Sequence, residues 1–242
     1  MVSRFSRFRG NGGQKVSPGP DRASVTRAVE DYLKAIYKLQ QAGQVVTTSA
    51  IAERLAVAPP TATNMIKRLA RLNLVRHTPY RGVELTSAGE KMALEIIRHH
   101  RLLERYLAEA LGVPIDQIHD EAERLEHVLS EDLEERMDAL LGYPATDPHG
   151  DPIPTKEGVL STREYHSLLN LRPCQRAVVR RVSDEDPDVL RSLAKLGLLP
   201  EVTVHVLRHE AEEGRIVVEV DQREHVLPFT LASAVYVEPC TA

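Results

Sequence analysis

The chain contains 242 residues, with 35 acidic and 31 basic side chains, a formal net charge of −4 and two cysteines. This length is enough for two or three small domains, each with its own core. Cys174 and Cys240 are too few and too far apart for a disulfide framework, and no apolar run reaches membrane-spanning length or resembles a signal peptide, so we expect a soluble cytoplasmic protein.

Residues 1–23 are rich in Gly, Ser, Pro and basic side chains and show no periodic apolar pattern, which predicts a disordered basic arm. Apolar residues then recur at helical spacing in three stretches, 24–43, 49–55 and 59–72. Two β-like segments follow and enclose Pro79-Tyr80-Arg81-Gly82, which predicts a hairpin with a basic tip. Three helices followed by such a hairpin are typical of a winged helix-turn-helix, here residues 24–87.

The third predicted helix lies in a basic stretch, because residues 58–83 contain five Lys or Arg side chains and no acidic one. A recognition helix places its N-terminal residues against base edges and further basic residues against phosphates. Asn can pair with adenine, and Thr offers a hydroxyl and a methyl group. The candidate DNA-contacting residues are Pro60, Thr61, Thr63, Asn64, Lys67, Arg68 and, at the hairpin tip, Arg81. The alternative is a three-helix packing unit with a solvated basic face.

Three further helices are predicted at 88–111, 119–129 and 132–141, the first of them capped by Ser87 with Glu90. In contrast to the basic stretch, residues 119–138 carry nine acidic side chains against two arginines. One basic and one acidic segment predict one surface that binds a polyanion and another that binds cations.

The acidic helix has an unusual polar stripe. His119, Glu123, Glu126 and His127 are spaced i, i+4, i+7 and i+8, so on one helix they share a face. His100 and Glu104 form a second pair at i, i+4 on the preceding helix. Carboxylates clustered in this way need a positive charge nearby. The nitrogen and oxygen donors of the two clusters suit a divalent metal ion. The alternative is a solvated acidic face with incidental histidines.

The stretch 147–158 is dense in Pro and Gly and predicts a linker, which we extend over 147–167. Beyond it, short apolar segments at 177–182, 202–207, 216–220 and 234–237 alternate with turns, with one helix predicted at 188–196. This pattern predicts a small β-barrel over 168–242. The fold class is therefore mainly α with a small β part.

These features together resemble the diphtheria-toxin-repressor/manganese-transport-regulator family of metal-dependent transcription repressors. The segments that carry the resemblance are Glu30-Asp31-Tyr32-Leu33, Ile51-Ala52-Glu53-Arg54-Leu55, His99-His100-Arg101-Leu102-Leu103-Glu104, His119-Asp120-Glu121 and Pro148-His149-Gly150-Asp151-Pro152-Ile153-Pro154. The resemblance implies an N-terminal DNA-binding domain, a helical metal-binding and dimerisation domain at 88–146 and a C-terminal SH3-like (FeoA-like) domain.

The resemblance also implies a primary metal site made of Asp31, Glu123, Glu126 and His127. In the iron-sensing members, Met and Cys typically stand at the positions of Asp31 and Glu123. The oxygen donors of this chain suit Mn²⁺ better than a thiolate would. The two-domain manganese sensors have a carboxylate at the position of Lys34, and this departure argues against their closely paired binuclear site.

The three-domain members hold a second metal with residues matching His100, Glu104 and His119, completed from the SH3-like domain. Asp184, Glu185 and Asp186 are the candidates for that last ligand, and Asp184 is the one included in the predicted site. The hypothesis is a Mn²⁺-activated, homodimeric repressor of metal-uptake genes that binds a palindromic DNA operator. An iron-responsive (Fe²⁺) regulator, a metal-dependent hydrolase and a helix-turn-helix regulator of an organic effector are the alternatives.

Overall fold

The computed structural model describes residues 26–43, 45–78, 81–161 and 163–240, so the predicted basic arm lies outside the described residues. The first domain has the predicted helices and hairpin. Its elements are α1 (Arg27–Gln41), α2 (Thr48–Arg54), α3 (Pro59–Arg71), β1 (Val75–Thr78) and β2 (Gly82–Leu85). The two strands are antiparallel, and Leu33, Ile36, Ile51, Ile66 and Leu69 are buried in a common core. The periodic apolar face of each helix therefore forms this core.

The long helix α4 (Ser87–Glu109) belongs to two cores. Its first half contributes Ala93, Leu94 and Ile97 to the winged-helix core, and its second half packs with α5 (Ile118–Leu125) and α6 (Glu131–Leu140). The predicted cap at Ser87 is wrong by one residue, because the Thr86 hydroxyl accepts the hydrogen bond from the Gly89 N–H at 3.1 Å. Over the residues that the structure covers, no helix has both the length and the apolar character to cross a membrane.

Helix α5 is shorter than predicted, since it ends at Leu125 and a turn follows. The predicted single stripe is therefore wrong in its last part. Glu126 is the C-cap of the helix and His127 lies in the turn beyond it. His127 contacts α1, whereas His119 contacts α4 and the C-terminal domain. The turn thus separates His127 from His119, so the two histidines contact different elements.

The C-terminal domain contains a six-stranded antiparallel sheet. Its elements are β3 (His166–Ser167), β4 (Arg176–Val182), α7 (Pro187–Lys195), β5 (Thr203–Glu210), β6 (Arg215–Val220), β7 (Arg223–Pro228), α8 (Phe229–Ala232) and β8 (Val235–Pro239). The strand order in the sheet is β3-β8-β4-β5-β6-β7. The four predicted strands are present, whereas β3, β7 and α8 were not predicted. Strand β7 is an edge strand with a single buried residue, Leu227, so its sequence lacks the alternating apolar signal.

The segment predicted as a linker is packed between the domains rather than solvated. Asp147 and His149 are buried, and the His149 carbonyl accepts a hydrogen bond from the Val182 N–H of β4 at 2.9 Å. Gly150 has φ +91°, and a Cβ at this position would lie 1.9 Å from the Arg180 carbonyl oxygen. Only glycine allows such a close backbone approach. The segment therefore fixes the C-terminal sheet against α4.

A buried ion cluster holds the helical domain together. The Arg98 guanidinium on α4 donates to Glu134 at 2.5 Å and to Asp138, both on α6, and to the Pro154 carbonyl at 2.9 Å. Burial opposes ionisation of Glu134, but hydrogen bonds from His99 and Arg98 outweigh it and lower the pKa of Glu134 to about 2. The cluster joins α4, α6 and the packed segment.

This cluster predicts a pH dependence of stability in metal-free protein. Because the folded-state pKa of Glu134 lies below its ordinary value of 4.5, the stabilisation is complete above about pH 4.5 and is lost as the pH falls toward 2. Glu134→Gln should lower the free energy of unfolding at pH 7 by about 1.5–3 kcal/mol. In this variant the free energy of unfolding should also decrease less as the pH is lowered, as measured by urea unfolding. Glu135→Gln, at an exposed ion pair with Lys156, is the control, and equal behaviour of both variants would contradict the prediction.

Candidate metal centre

The first group of metal-ligating side chains lies where α1 meets the end of α5. Asp31, Glu126 and His127 offer ligand atoms within 4.8 Å of one another. His127 Nε2 lies 2.9 Å from Asp31 Oδ1 and 3.4 Å from Glu126 Oε1. Its Nδ1 lies 2.6 Å from Oε2 of Glu30, which sequence reasoning did not identify as a site residue. Three of the four predicted primary ligands are thus adjacent.

The donor atoms of this group fit a divalent ion. Asp31 Oδ1 and His127 Nε2 are buried and, among the described residues, have no hydrogen-bond partner despite their proximity. Buried polar atoms are normally satisfied, so such a pair indicates space for a ligand. Burial lowers the pKa of His127, but the adjacent carboxylates of Asp31 and Glu30 outweigh this effect and raise the pKa to about 9. Without an ion, a proton on this imidazole supplies the positive charge.

Glu123, the fourth predicted primary ligand, contacts a different partner. Its Oε2 accepts a hydrogen bond from Lys34 Nζ at 2.6 Å and lies 3.5 Å from His100 Nδ1. Glu123 therefore groups with His100 and His119 rather than with Asp31. Burial raises the pKa of Glu123, but the Lys34 ammonium outweighs it and lowers the pKa. Lys34 also donates to both oxygens of Glu126, at 2.9 and 2.7 Å.

A second group joins α4, α5 and the C-terminal domain. Glu104, His119 and Asp184 offer ligand atoms within 4.8 Å of one another. His119 Nδ1 lies 3.2 Å from Glu104 Oε1 and 3.8 Å from Asp184 Oδ2, while His100 Nε2 lies 3.0 Å from Glu104 Oε1. Of the three C-terminal candidates, Asp184 approaches the cluster, and the Asp186 carboxylate instead caps α7. All the predicted secondary ligands are therefore brought together.

The packed segment adds two donors that sequence reasoning missed. Asp147 and His149 form a fully buried group with Glu104, with His149 Nδ1 3.7 Å from Glu104 Oε2. Within the described chain, neither ring nitrogen of His149 has a hydrogen-bond partner. Burial lowers the pKa of His149, but the contact with Glu104 raises it to about 9, whereas burial raises the pKa of Asp147 to about 8. A lone His-Gly pair in a proline-rich stretch gave no ligand spacing from which to predict this.

The predicted DNA-contacting residues lie along α3, from its second residue to Arg68, and at the hairpin tip. Pro60, Thr61, Asn64, Lys67 and Arg81 are exposed, whereas Arg68 is half-buried. The Thr63 hydroxyl donates to the Pro59 carbonyl at 2.9 Å and is also half-buried. The exposed set therefore forms a polar and basic surface along α3, with Thr63 turned back toward its own helix.

Three family models match the chain in succession. They are the iron dependent repressor N-terminal DNA binding domain over residues 24–83, the iron dependent repressor metal binding and dimerisation domain over 86–155, and the FeoA domain over 166–239. The iron-dependent repressor IdeR of Mycobacterium leprae (strain TN) is 35% identical over 222 residues, which cover 86% of this chain and 96% of the relative. The diphtheria toxin repressor of Corynebacterium efficiens is 34% identical over 222 residues, with 86% and 94% coverage.

Solved structures agree with these matches. A manganese-dependent transcriptional repressor in complex with manganese superposes with a TM-score of 0.81 and 39% identity, covering 88% of this chain and all of that chain. The cadmium-bound structure of ScaR superposes with a TM-score of 0.72 and 35% identity, covering 87% and 98%. These relatives are DNA-binding repressors, so the hydrolase alternative is set aside. The resemblance inferred from the motifs is confirmed, and the chain belongs to the diphtheria-toxin-repressor family of metal-dependent transcriptional repressors.

Proposed function

We propose that this protein is a Mn²⁺-activated repressor of metal-uptake genes that binds a palindromic double-stranded operator as a homodimer. The observation that carries the proposal is the origin of the first ligand group. Asp31 comes from α1 of the DNA-binding domain, and Glu126 and His127 come from the end of α5. The same ion would therefore contact both domains.

The first ion would be held by Asp31, Glu126 and His127, with Glu123 as a further oxygen donor. Lys34 contacts Glu123 through Oε2, which leaves Oε1 for the ion. The second ion would be held by Glu104, His119 and Asp184 together with His100. Asp147 and His149 are additional donors on the buried side of Glu104.

The donor chemistry favours manganese. The first group contains carboxylate oxygens and one imidazole, and the cysteines of the chain are both exposed and lie in the C-terminal domain. Oxygen ligands suit Mn²⁺, whereas thiolates favour softer ions. A structural relative is named for manganese, which supports this assignment. The curated relative from Mycobacterium leprae is named for iron, so an Fe²⁺-responsive regulator is the second candidate.

Activation follows from what the ligand residues do to the helices. A bound ion would supply the positive charge that allows the carboxylates to stay together. Asp31 then restrains α1, and with it the recognition helix α3, relative to α5. Only the conformation in which both ligand sets converge is stabilised, so the population shifts toward it. Couplings of this type are typically about 1–3 kcal/mol, or about 5–150-fold in DNA affinity.

The homodimer would form through apolar side chains that the single chain leaves exposed on α5, α6 and the turn between them. The members of this set are Leu125 (40% exposed), Val128 (76%), Leu133 (49%) and Leu140 (69%). Exposed apolar side chains gathered on adjacent elements are characteristic of an interface. A two-fold dimer would place two α3 helices on successive half-sites of a palindrome.

The proposed function is tested by DNA binding with and without the metal. Fragmented genomic DNA retained with Mn²⁺ but not with a chelator should contain a palindromic site, which is then used in anisotropy titrations. Glu126→Ala should reduce the Mn²⁺-dependent gain in DNA affinity by about 5–150-fold, because it removes one ligand of the ion that both domains contact. Glu121→Ala, on the same helix but paired with Arg124, should retain the gain. Equal gains in both variants would refute the ligand assignment, and equal activation by anaerobic Fe²⁺ would favour the iron-responsive candidate.

A separate prediction concerns DNA binding by the recognition helix α3. Asn64→Ala should weaken the free energy of operator binding by about 1–3 kcal/mol and reduce the preference for one base at a single position of the operator. Lys67→Ala should instead weaken binding to all sequences and reduce the slope of log affinity against log salt by about one. Titrations on operator and mutated operators at several salt concentrations separate the two effects. A base-specific loss in Lys67→Ala would contradict this assignment.

Glu30 is predicted to position His127 for metal binding. Its carboxylate holds His127 Nδ1, which orients Nε2 toward Asp31 and Glu126. Removing such an outer partner typically weakens metal binding by about 10–100-fold, so Glu30→Ala should show this loss in Mn²⁺ titrations followed by electron paramagnetic resonance. Glu30→Gln keeps an acceptor for Nδ1 and should retain most of the affinity. A similar loss in both variants would show that charge rather than orientation matters.

A further inference from the structure

Lys34 is a buried cation beside the first ligand group, with which it shares Glu126. It lies on α1, one turn after Asp31, and its residue is 6% exposed. Its Nζ donates to Glu123 Oε2 at 2.6 Å and to Glu126 Oε1 and Oε2 at 2.9 and 2.7 Å. The same nitrogen lies 3.2 Å from His100 Nδ1. Two carboxylates and one imidazole thus surround the ammonium, as they would surround a metal ion.

Glu126 lies between two cation positions. On one side its Oε1 is 3.4 Å from His127 Nε2, next to Asp31. On the other side its Oε2 is 2.5 Å from His100 Nδ1 and accepts from Lys34. The Glu126 side chain is fully buried, so its charge is compensated by these neighbours and not by water. Among the described residues, the first position has buried atoms without hydrogen-bond partners, whereas the second is filled by Lys34 Nζ.

We propose that the Lys34 ammonium is the resident second cation of this centre. The centre then takes one divalent ion, at Asp31, Glu126 and His127, and Glu126 bridges that ion to Lys34 rather than to a second ion. The inference rests on the proposed metal ligands, but it adds the number of ions and the residue that sets it. A carboxylate at position 34 would turn the lysine's position into a second metal site.

The test is the number of Mn²⁺ ions bound by the full-length protein, measured by elemental analysis after equilibrium dialysis. Lys34→Glu should bind one ion per protomer more than wild type. The added ion should also give an exchange-coupled electron paramagnetic resonance signal, because Glu126 would bridge two manganese ions. Lys38→Met removes a charge from the next turn of the same helix and should leave both the count and the signal unchanged. A coupled pair in wild type, or an unchanged count in folded Lys34→Glu, would overturn the inference.

Lys34→Met provides a second measurement if the glutamate variant does not fold. In the absence of metal, Glu123 and Glu126 lose their cation, so the melting temperature should fall by on the order of 10 °C. Saturating Mn²⁺ should raise the melting temperature of this variant by more than it raises that of wild type. Equal increments would count against the resident-cation role. Absence of Mn²⁺ binding by wild type would instead refute the proposed function, so the two failures are distinguishable.

Discussion

The convergence of three carboxylates around the buried Glu126, where α1, α4 and α5 meet, constrains the rest of the structure. Asp31, Glu123 and Glu126 cannot share this space without positive charge close to them. The chain supplies it from Lys34 and from His127, whose pKa is raised to about 9. An ion bound at the proposed ligands would therefore exchange with a proton as well as with water, since ligand imidazoles must be neutral.

Glu104 has a corresponding role between the helical and C-terminal domains. It is 1% exposed and lies within 3.2 Å of both His100 and His119, with His149 of the packed segment 3.7 Å away. Burial raises the pKa of Glu104, but the contacts with His100, His119 and His149 hold it well below its ordinary value. The segment from Asp147 to Pro154 is accordingly held by contacts with Glu104, Arg98 and Arg101 in addition to its backbone hydrogen bond with β4. The position of the C-terminal sheet thus depends on charged side chains.

The sequence was sufficient for most of the elements, although not for β3, β7 and α8, and for most of the candidate ligands. Helical periodicity predicted α1 to α6. Helical spacing paired His100 with Glu104, and the family resemblance implied that His119 joins them, as it does in the structure. The end of α5 at Leu125 was not predicted, because the acidic stripe continues past the point at which the helix stops. Lys34 as a partner of Glu123 depends on the packing of α1 against α5, and a side chain 89 positions away has no local signature. His149 was missed for the same reason, since its burial depends on the close approach of Gly150 to β4.

His100 connects the two ligand groups and therefore couples them. Its Nδ1 lies 2.5 Å from Glu126 and its Nε2 lies 3.0 Å from Glu104, so one imidazole is shared by both carboxylates. Burial lowers the pKa of His100, but the hydrogen bonds to Glu104 and Glu126 outweigh it and raise the pKa. A cation that neutralises Glu126 therefore changes the strength of the interaction between His100 and Glu104. Because linkage is reciprocal, a cation that neutralises Glu104 changes the interaction between His100 and Glu126 by the same free energy. Charge on α1 of the DNA-binding domain is in this way connected, through Glu126, His100 and Glu104, to Asp184 in the C-terminal domain.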